Sequence, residues 1–319
     1  MSFTIQNKVE NGFAKVALKD ESSGTVAEVI PSGGAILHSF AINHKGNKLN
    51  VIDSYESEED FRKNVTSKGF RGCKLSPFVC RLNKGKYHFA DRDYEVQKFY
   101  LDSHAIHGLI YDQEFSVIHQ SASGENASVT MQYLYRALDP GYPFNYDCVV
   151  TYEFEIDNKL NVTTEIVNKH EDSIPVQDGW HPYFKLHAKV DDLQLEFKSK
   201  EMVEFNNELI PTGILRSYKE FRSLRYLGNT SFDNCFALNF SESPPMCVLR
   251  NTEKNLQVEI HPDVSYPYLQ IYTPPHRNSI SLENLSSPPD AFNNGMGLKT
   301  LLSGESAFFK TCYKITLLT

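Results

Sequence analysis

The stretch TYEFEIDNKLNVTTEIVN, residues 151–168, alternates apolar and polar side chains on either side of a short polar break. Tyr152, Phe154 and Ile156 fall on one face of an extended chain, and Leu160, Val162, Thr164 and Ile166 on one face of the next. A period of two marks a half-buried strand, and Asp157-Asn158-Lys159 is turn chemistry. The spacing therefore predicts a hairpin in a sheet with one buried face. The same alternation runs through Phe3 and Ile5, through Ala14, Val16 and Leu18, and through Thr25, Ala27 and Val29, each closed by Gly, Ser, Asn or Pro. These runs predict an antiparallel β opening. Phe308 to Leu318 alternates again and is expected to close a sheet edge.

Helix signals are scarce. Residues 55–64, YESEEDFRKN, place acids early and bases late, as the helix dipole prefers, and predict one short solvated helix. Gly33-Gly34 precedes a hydrophobic run without the Lys-Ser/Thr ending of a phosphate loop, so a bulge or tight turn is expected there. No fixed-period repeat, linker or shift of composition divides the chain, and residues 1–319 read as a single all-β domain.

Composition narrows the function. The net charge is −8, and no basic run is interleaved with aromatics, which argues against nucleic acid as a partner. The N-terminus is polar and no apolar run approaches ~18 residues, so neither a signal peptide nor a membrane span is expected. Cys73, Cys80, Cys148, Cys235, Cys247 and Cys312 form no CxxC pair and read as buried thiols in a reducing, cytoplasmic setting. Nothing in the pattern specifies an oligomeric state.

The chemistry-bearing candidates lie in short segments. In SLENLSSPPDAFNNG, residues 281–295, alternation stops after Glu283, and Pro288-Pro289 cannot supply the amide donors of a central strand. Glu283 is thus expected where a strand gives way to a surface loop, as a general base or as a solvated strand-end carboxylate. PVQDGWHPYF, residues 175–184, sets Trp180, the only tryptophan, beside His181 and two rings. That is a surface on which the apolar face of a pyranose packs, or an aromatic core cluster with a hydrogen-bonded histidine. His104 and His107 have the spacing of two metal ligands without the further ligands a zinc site needs, and no metal is assigned. Arg81 is a surface charge or a donor fork for sugar or carboxylate oxygens. Asp233 sits in a turn ahead of a strand.

The order of these segments resembles the aldose 1-epimerase, or galactose mutarotase, family. The resemblance is carried by GAIL at 34–37, CRLNKGKY at 80–87, HAIHG at 104–108, HPYF at 181–184, FDNCF at 232–236, YLQIYT at 268–273 and LENLSSPPDAFN at 282–293. It implies a large antiparallel β-sandwich of the galactose mutarotase-like type. It also implies an isomerase that interconverts the α and β anomers of an aldose, an aldohexose monosaccharide, by acid/base ring opening and reclosure. Glu283 matches the family's base, His181 its acid and His107 its second active-site histidine. Arg81, Asp233 and Gln270 match contacts to sugar hydroxyls, with Trp180 added as a ring against the sugar. Neither metal nor organic cofactor is called for.

The chemistry removes a proton from the anomeric hydroxyl while protonating the ring oxygen. A free carboxylate near pKa ~4.3 is ionised at neutral pH, and a free histidine near ~6.5 is about one quarter protonated at pH 7. A neighbouring carboxylate is expected to raise the histidine and favour the Glu⁻/His⁺ form. The sequence departs from the family at Cys80, where asparagine is usual, at Leu109, where a second glycine follows HG, and at Trp180, where asparagine is frequent. These departures bear on the identity of the sugar. Two other readings stand beside this one: a non-catalytic sugar-binding protein on the same fold, and a mutarotase for a phosphorylated hexose served by Arg71 and Lys74.

Overall fold

The computed structural model describes residues 2–44 and 46–318. Strands Asn145–Glu155 and Lys159–Asn168 pair antiparallel from Glu155↔Lys159 to Tyr146↔Asn168, and Ile156–Asn158 forms the turn. Asp157 and Asn158 take φ of 61° and 54°, the left-handed region that Asp and Asn tolerate better than most residues. Alternate residues along both strands are buried, as the period of two requires.

This hairpin is the middle of a nine-stranded sheet. Ser306–Leu317 belongs to it too, flanked by Lys159–Asn168 on one side and Leu256–Ile260 on the other, both antiparallel. It is an interior strand, contrary to the edge position expected for it. Alternation reports one buried face and is blind to how many strands lie alongside. The N-terminal runs form a five-stranded antiparallel sheet, in which Phe3–Glu10, Phe13–Asp20 and Val26–Ile30 are successive neighbours. Phe3 and Phe40 each set an edge-on ring against Phe154 and tie that sheet to the main core.

The local expectations hold. Pro31–Gly33 is a single helical turn ending at Gly34, whose φ is 71°. A Cβ at Gly34 would come within 2.4 Å of the Tyr111 carbonyl oxygen, so only glycine fits. The helix is Glu58–Asn64, capped by the Ser57 hydroxyl, which accepts the Asp60 N–H at 3.1 Å. Phe61 is its one buried residue, edge-on to Tyr55.

A second nine-stranded sheet carries the segments singled out for function. Its central run is Asp233–Leu238, Tyr268–Tyr272, Ile280–Leu285 and Gly179–Trp180, with Lys74–Leu75 at one end and Tyr183–Phe184 also paired to Ile280–Leu285. Its inner face packs on the first sheet: Trp180 against Tyr152, Phe184 against Tyr313, and the Thr311 hydroxyl donating to Asn284 Oδ1 at 2.7 Å. The fold is a large β-sandwich.

All six residues of Ile280–Leu285 are buried. Glu283 is therefore in the body of a strand, and the chain beyond it stays buried through Phe292, contrary to the surface loop expected there. Asn284 faces the core, while Glu283 faces away, under the loops that cover the sheet. Of the cysteines, all free, five are buried and Cys312 is half-buried. No helix among the described residues is long and apolar enough to cross a membrane.

Candidate active site

Three adjacent strands build the floor. Gln270 lies opposite Glu283, and Asp233 lies opposite Tyr272 on the next strand over. Because side chains alternate along a strand, Asp233, Gln270 and Glu283 all emerge on the outer face. The Gln270 amide donates to Asp233 Oδ1 at 2.9 Å, and its own carbonyl oxygen is buried without a partner among the described residues. His181 follows the short strand Gly179–Trp180, and its backbone N–H donates to the Cys73 carbonyl. A cleft of about 170 Å³ opens over these groups, with Arg81 and His107 in its wall.

His181 Nε2 stands 3.3 Å from Glu283 Oε1, with both side chains almost fully buried. The Ser281 hydroxyl donates to the Pro182 carbonyl at 3.1 Å and lies 3.0 Å from His181 Nδ1. With its one proton committed to Pro182, the Ser281 oxygen accepts from Nδ1–H, which fixes the tautomer and leaves the Nε2 lone pair facing the carboxyl group. Tyr183 stacks on the imidazole at 5.2 Å between centroids. The second carboxyl oxygen, Oε2, meets the Cys80 thiol at 3.9 Å.

Burial sets the electrostatics. It pushes Glu283 well above the usual carboxylate range, and the nearby Asp233 adds to this against the hydrogen bond from Cys80. It pushes His181 down to about 3. The direction is opposite to the Glu⁻/His⁺ form expected from pairing alone. Removing two charges from water costs more than their attraction returns here, so the empty pair holds one proton between two neutral groups. Burial likewise lowers His107, reinforced by the positive charge of Arg81, and raises Asp233, opposed by Arg81 and Gln270.

His107 takes φ of 64° and anchors its N–H on the Cys80 carbonyl at 2.9 Å. This turns the ring edge-on to His181, 4.8 Å away, with Phe70 behind it at 4.6 Å. His104 goes elsewhere: its Nδ1 accepts the Lys84 N–H at 3.0 Å, so the two histidines of HAIHG do not converge. Pro289 reaches the cleft wall.

Six of the seven sequence candidates thus converge on one cleft, and Trp180 does not. Its ring lies on the core side of the sheet against Tyr152, with the Lys74 ammonium 4.4 Å from the ring centre. Consecutive strand residues point to opposite faces, so placing His181 in the cleft sends Trp180 inward. The groups missed by sequence reasoning are Ser281, Tyr183 and Cys80. Ser281 was findable, since it sits two residues before Glu283 and shares its face.

The family model for aldose 1-epimerase matches residues 15–314, and the chain belongs to that family. The uncharacterized protein YihR of Escherichia coli (strain K12) is 22% identical over 244 residues, covering 73% of this chain and 75% of that protein. Among solved structures, a galactose mutarotase-like protein from Clostridium acetobutylicum superposes with a TM-score of 0.85 at 16% identity, covering 99% of both chains. Galactose 1-epimerase from Lactobacillus acidophilus NCFM does so with a TM-score of 0.81 at 18% identity, again over 99% of both chains. These likenesses establish the galactose mutarotase-like fold.

Proposed function

We propose that this protein interconverts the α and β anomers of an aldose, with Glu283 and His181 as its base and acid. The observation that carries the reading is the buried His181 Nε2 to Glu283 Oε1 contact of 3.3 Å. The anomeric hydroxyl and the ring oxygen of a pyranose are bonded to the same carbon. A base for one and an acid for the other must therefore be close neighbours, and few side-chain pairs are.

Ring opening converts Glu⁻ and His⁺ into a protonated carboxyl and a neutral imidazole, since Glu283 takes the hydroxyl proton and His181 gives one to the ring oxygen. Those neutral partners are the ones burial favours. The resting pair is in the state that ring opening produces, and reclosure on the other face of the aldehyde reverses the transfer. Sugar hydroxyls entering the cleft replace lost water contacts, and they favour the ionic form that starts ring opening. Arg81, Asp233, Gln270 and His107 surround the pair and hold the remaining hydroxyls. A cytoplasmic setting is consistent with six free thiols.

The phosphorylated-hexose reading finds little support in the cations named for it. Lys74 is wholly buried on Asp178 Oδ1 at 2.5 Å, and Arg71 is paired with Asp53 at 3.2 Å. Polarimetry of fresh α-anomers tests the proposal. Wild type is expected to relax them faster than buffer and Glu283→Gln to relax them far more slowly than wild type. Full activity in Glu283→Gln would remove the assigned base, and no acceleration by wild type on any aldose would leave the sugar-binding reading in its place.

A further inference from the structure

Apart from Arg81 and the nitrogens of His107, the polar and apolar groups of the cleft fall on opposite sides of the acid/base pair. On the Glu283 side lie Gln270, its partner across the strands, and Asp233, hydrogen-bonded to Gln270. On the His181 side lie rings: Tyr183 stacked on the imidazole, His107 edge-on to it, and Phe70 packed on His107 with Phe99 beyond at 5.5 Å. Phe99 and Leu101 are partly exposed and stand at the rim.

A pyranose has the same two sides. Reaction at Glu283 and His181 fixes the anomeric hydroxyl beside the first and the ring oxygen beside the second. The carbon next to the anomeric centre, with its hydroxyl and the next one, then runs toward Gln270 and Asp233. The carbon on the far side of the ring oxygen, C5, carries its substituent past His181 toward Phe70 and Phe99. From this arrangement we infer that the substrates are aldoses with an apolar group at C5, the 6-deoxyhexoses, whose methyl group sits against the Phe70 and Phe99 rings. This deepens the mutarotase reading and rests on it. A hydroxymethyl group in the same place gives up its water and finds mostly ring carbon, with the His107 imidazole, whose Nδ1 is buried without a partner among the described residues, and the Thr66 and Tyr183 hydroxyls as the local alternatives.

The experiment compares each parent sugar with its 6-deoxy counterpart: D-glucose with 6-deoxy-D-glucose, and D-galactose with D-fucose. Anomer exchange is followed by NMR, and affinity is measured separately by titration calorimetry. The expected result is kcat/KM and affinity about tenfold higher for the 6-deoxy member of at least one pair. In Phe99→Asn, which offers the C6 hydroxyl a partner from a partly exposed position, the ratio should fall severalfold. Equal values, or a preference for the parent hexose in both pairs, overturn the inference. Should neither sugar exchange faster than in buffer, the mutarotase reading fails by itself, and the affinity ratio still decides whether the C5 side of the cleft is apolar in function.

Discussion

Glu283 and His181 are neighbours in space because their strands are neighbours in the sheet, although 101 residues of chain separate them. Gly179 pairs with Leu285 and Tyr183 with Ser281, so His181, midway between the first residues of these pairings, comes over Glu283, midway between the second. The Ser281 bridge between Pro182 and His181 Nδ1 then sets the ring plane. In the proposed reaction one takes a proton from the sugar as the other gives one, so the two would act as a unit.

Losing either partner should therefore cost nearly as much as losing both. Glu283→Gln and His181→Asn are each expected to lower kcat for anomer exchange by about 10²–10⁴-fold, the usual worth of a positioned acid or base. The double variant should fall little further, because effects within a catalytic unit are non-additive. Polarimetric rates for the four proteins close the cycle. Multiplicative losses would show two independent groups and contradict a shared proton.

The shared proton also makes stability depend on pH. Unfolded, the pair binds two protons below pH 4.5, one between 4.5 and 6.5, and none above 6.5, while the folded pair holds one from about pH 3 up to the raised pKa of Glu283. Glu283, raised in the fold, contributes stability that is lost as pH rises above 6.5, where the unfolded pair holds no proton and the folded pair still holds one. His181, lowered to about 3, contributes stability that is lost as pH falls from 4.5 toward 3, where the unfolded pair holds two. Each limb has a slope of about 1.4 kcal/mol per pH unit, with a plateau between. Urea unfolding from pH 4 to 8.5, taken as wild type minus Glu283→Gln/His181→Gln to cancel other groups, should show that plateau. A difference that keeps rising from pH 6.5 to 8.5 would rule out the neutral pair.

Much of this site was legible before the structure, and the reasons are physical. Period-two alternation identified the outer strands because one of their faces meets water, and the hairpin at 151–168 was read to its turn. It misleads at Ile280–Leu285: the alternation stops after Glu283, but the strand is buried on both faces and runs on to Leu285, so the end of the pattern is not the end of the strand. Which residues meet across strands depends on register, which the sequence of one strand does not carry. That is why Cys80, distant in the chain, was not tied to Glu283. The direction of the pair's proton affinities was missed for the same reason: it follows from burial, and burial was assigned wrongly.

Trp180 tests that assignment of faces. If its ring is core and not sugar platform, Trp180→Phe should leave KM for any accepted sugar within about twofold. It should lower unfolding stability by about 1–3 kcal/mol through lost packing on Tyr152 and Lys74. Tyr183→Leu, which removes the ring stacked on His181 in the cleft, should instead lower kcat. Steady-state polarimetry beside urea titration separates the two effects, and a large KM increase in Trp180→Phe would return the ring to the sugar.

Beneath the site lies a buried ion pair, and its role differs from that of Glu283 and His181. Lys74 Nζ meets Asp178 Oδ1 at 2.5 Å and the Gly179 carbonyl at 3.1 Å, and the Tyr266 hydroxyl donates to the same Asp178 oxygen at 2.6 Å. Burial raises Asp178 against the Lys74 charge. The pair ties Lys74–Leu75 to the strand that leads into His181. Lys74→Met would leave a carboxylate buried without its counter-charge and should cost about 3–5 kcal/mol. Replacing both partners, as Lys74→Met/Asp178→Leu, should recover most of that loss, because two apolar side chains of similar volume have no charge to desolvate. Urea unfolding at pH 7 measures the cycle. A double variant as unstable as the single one would mean that the strand needs these polar contacts themselves, and not only their mutual neutralisation.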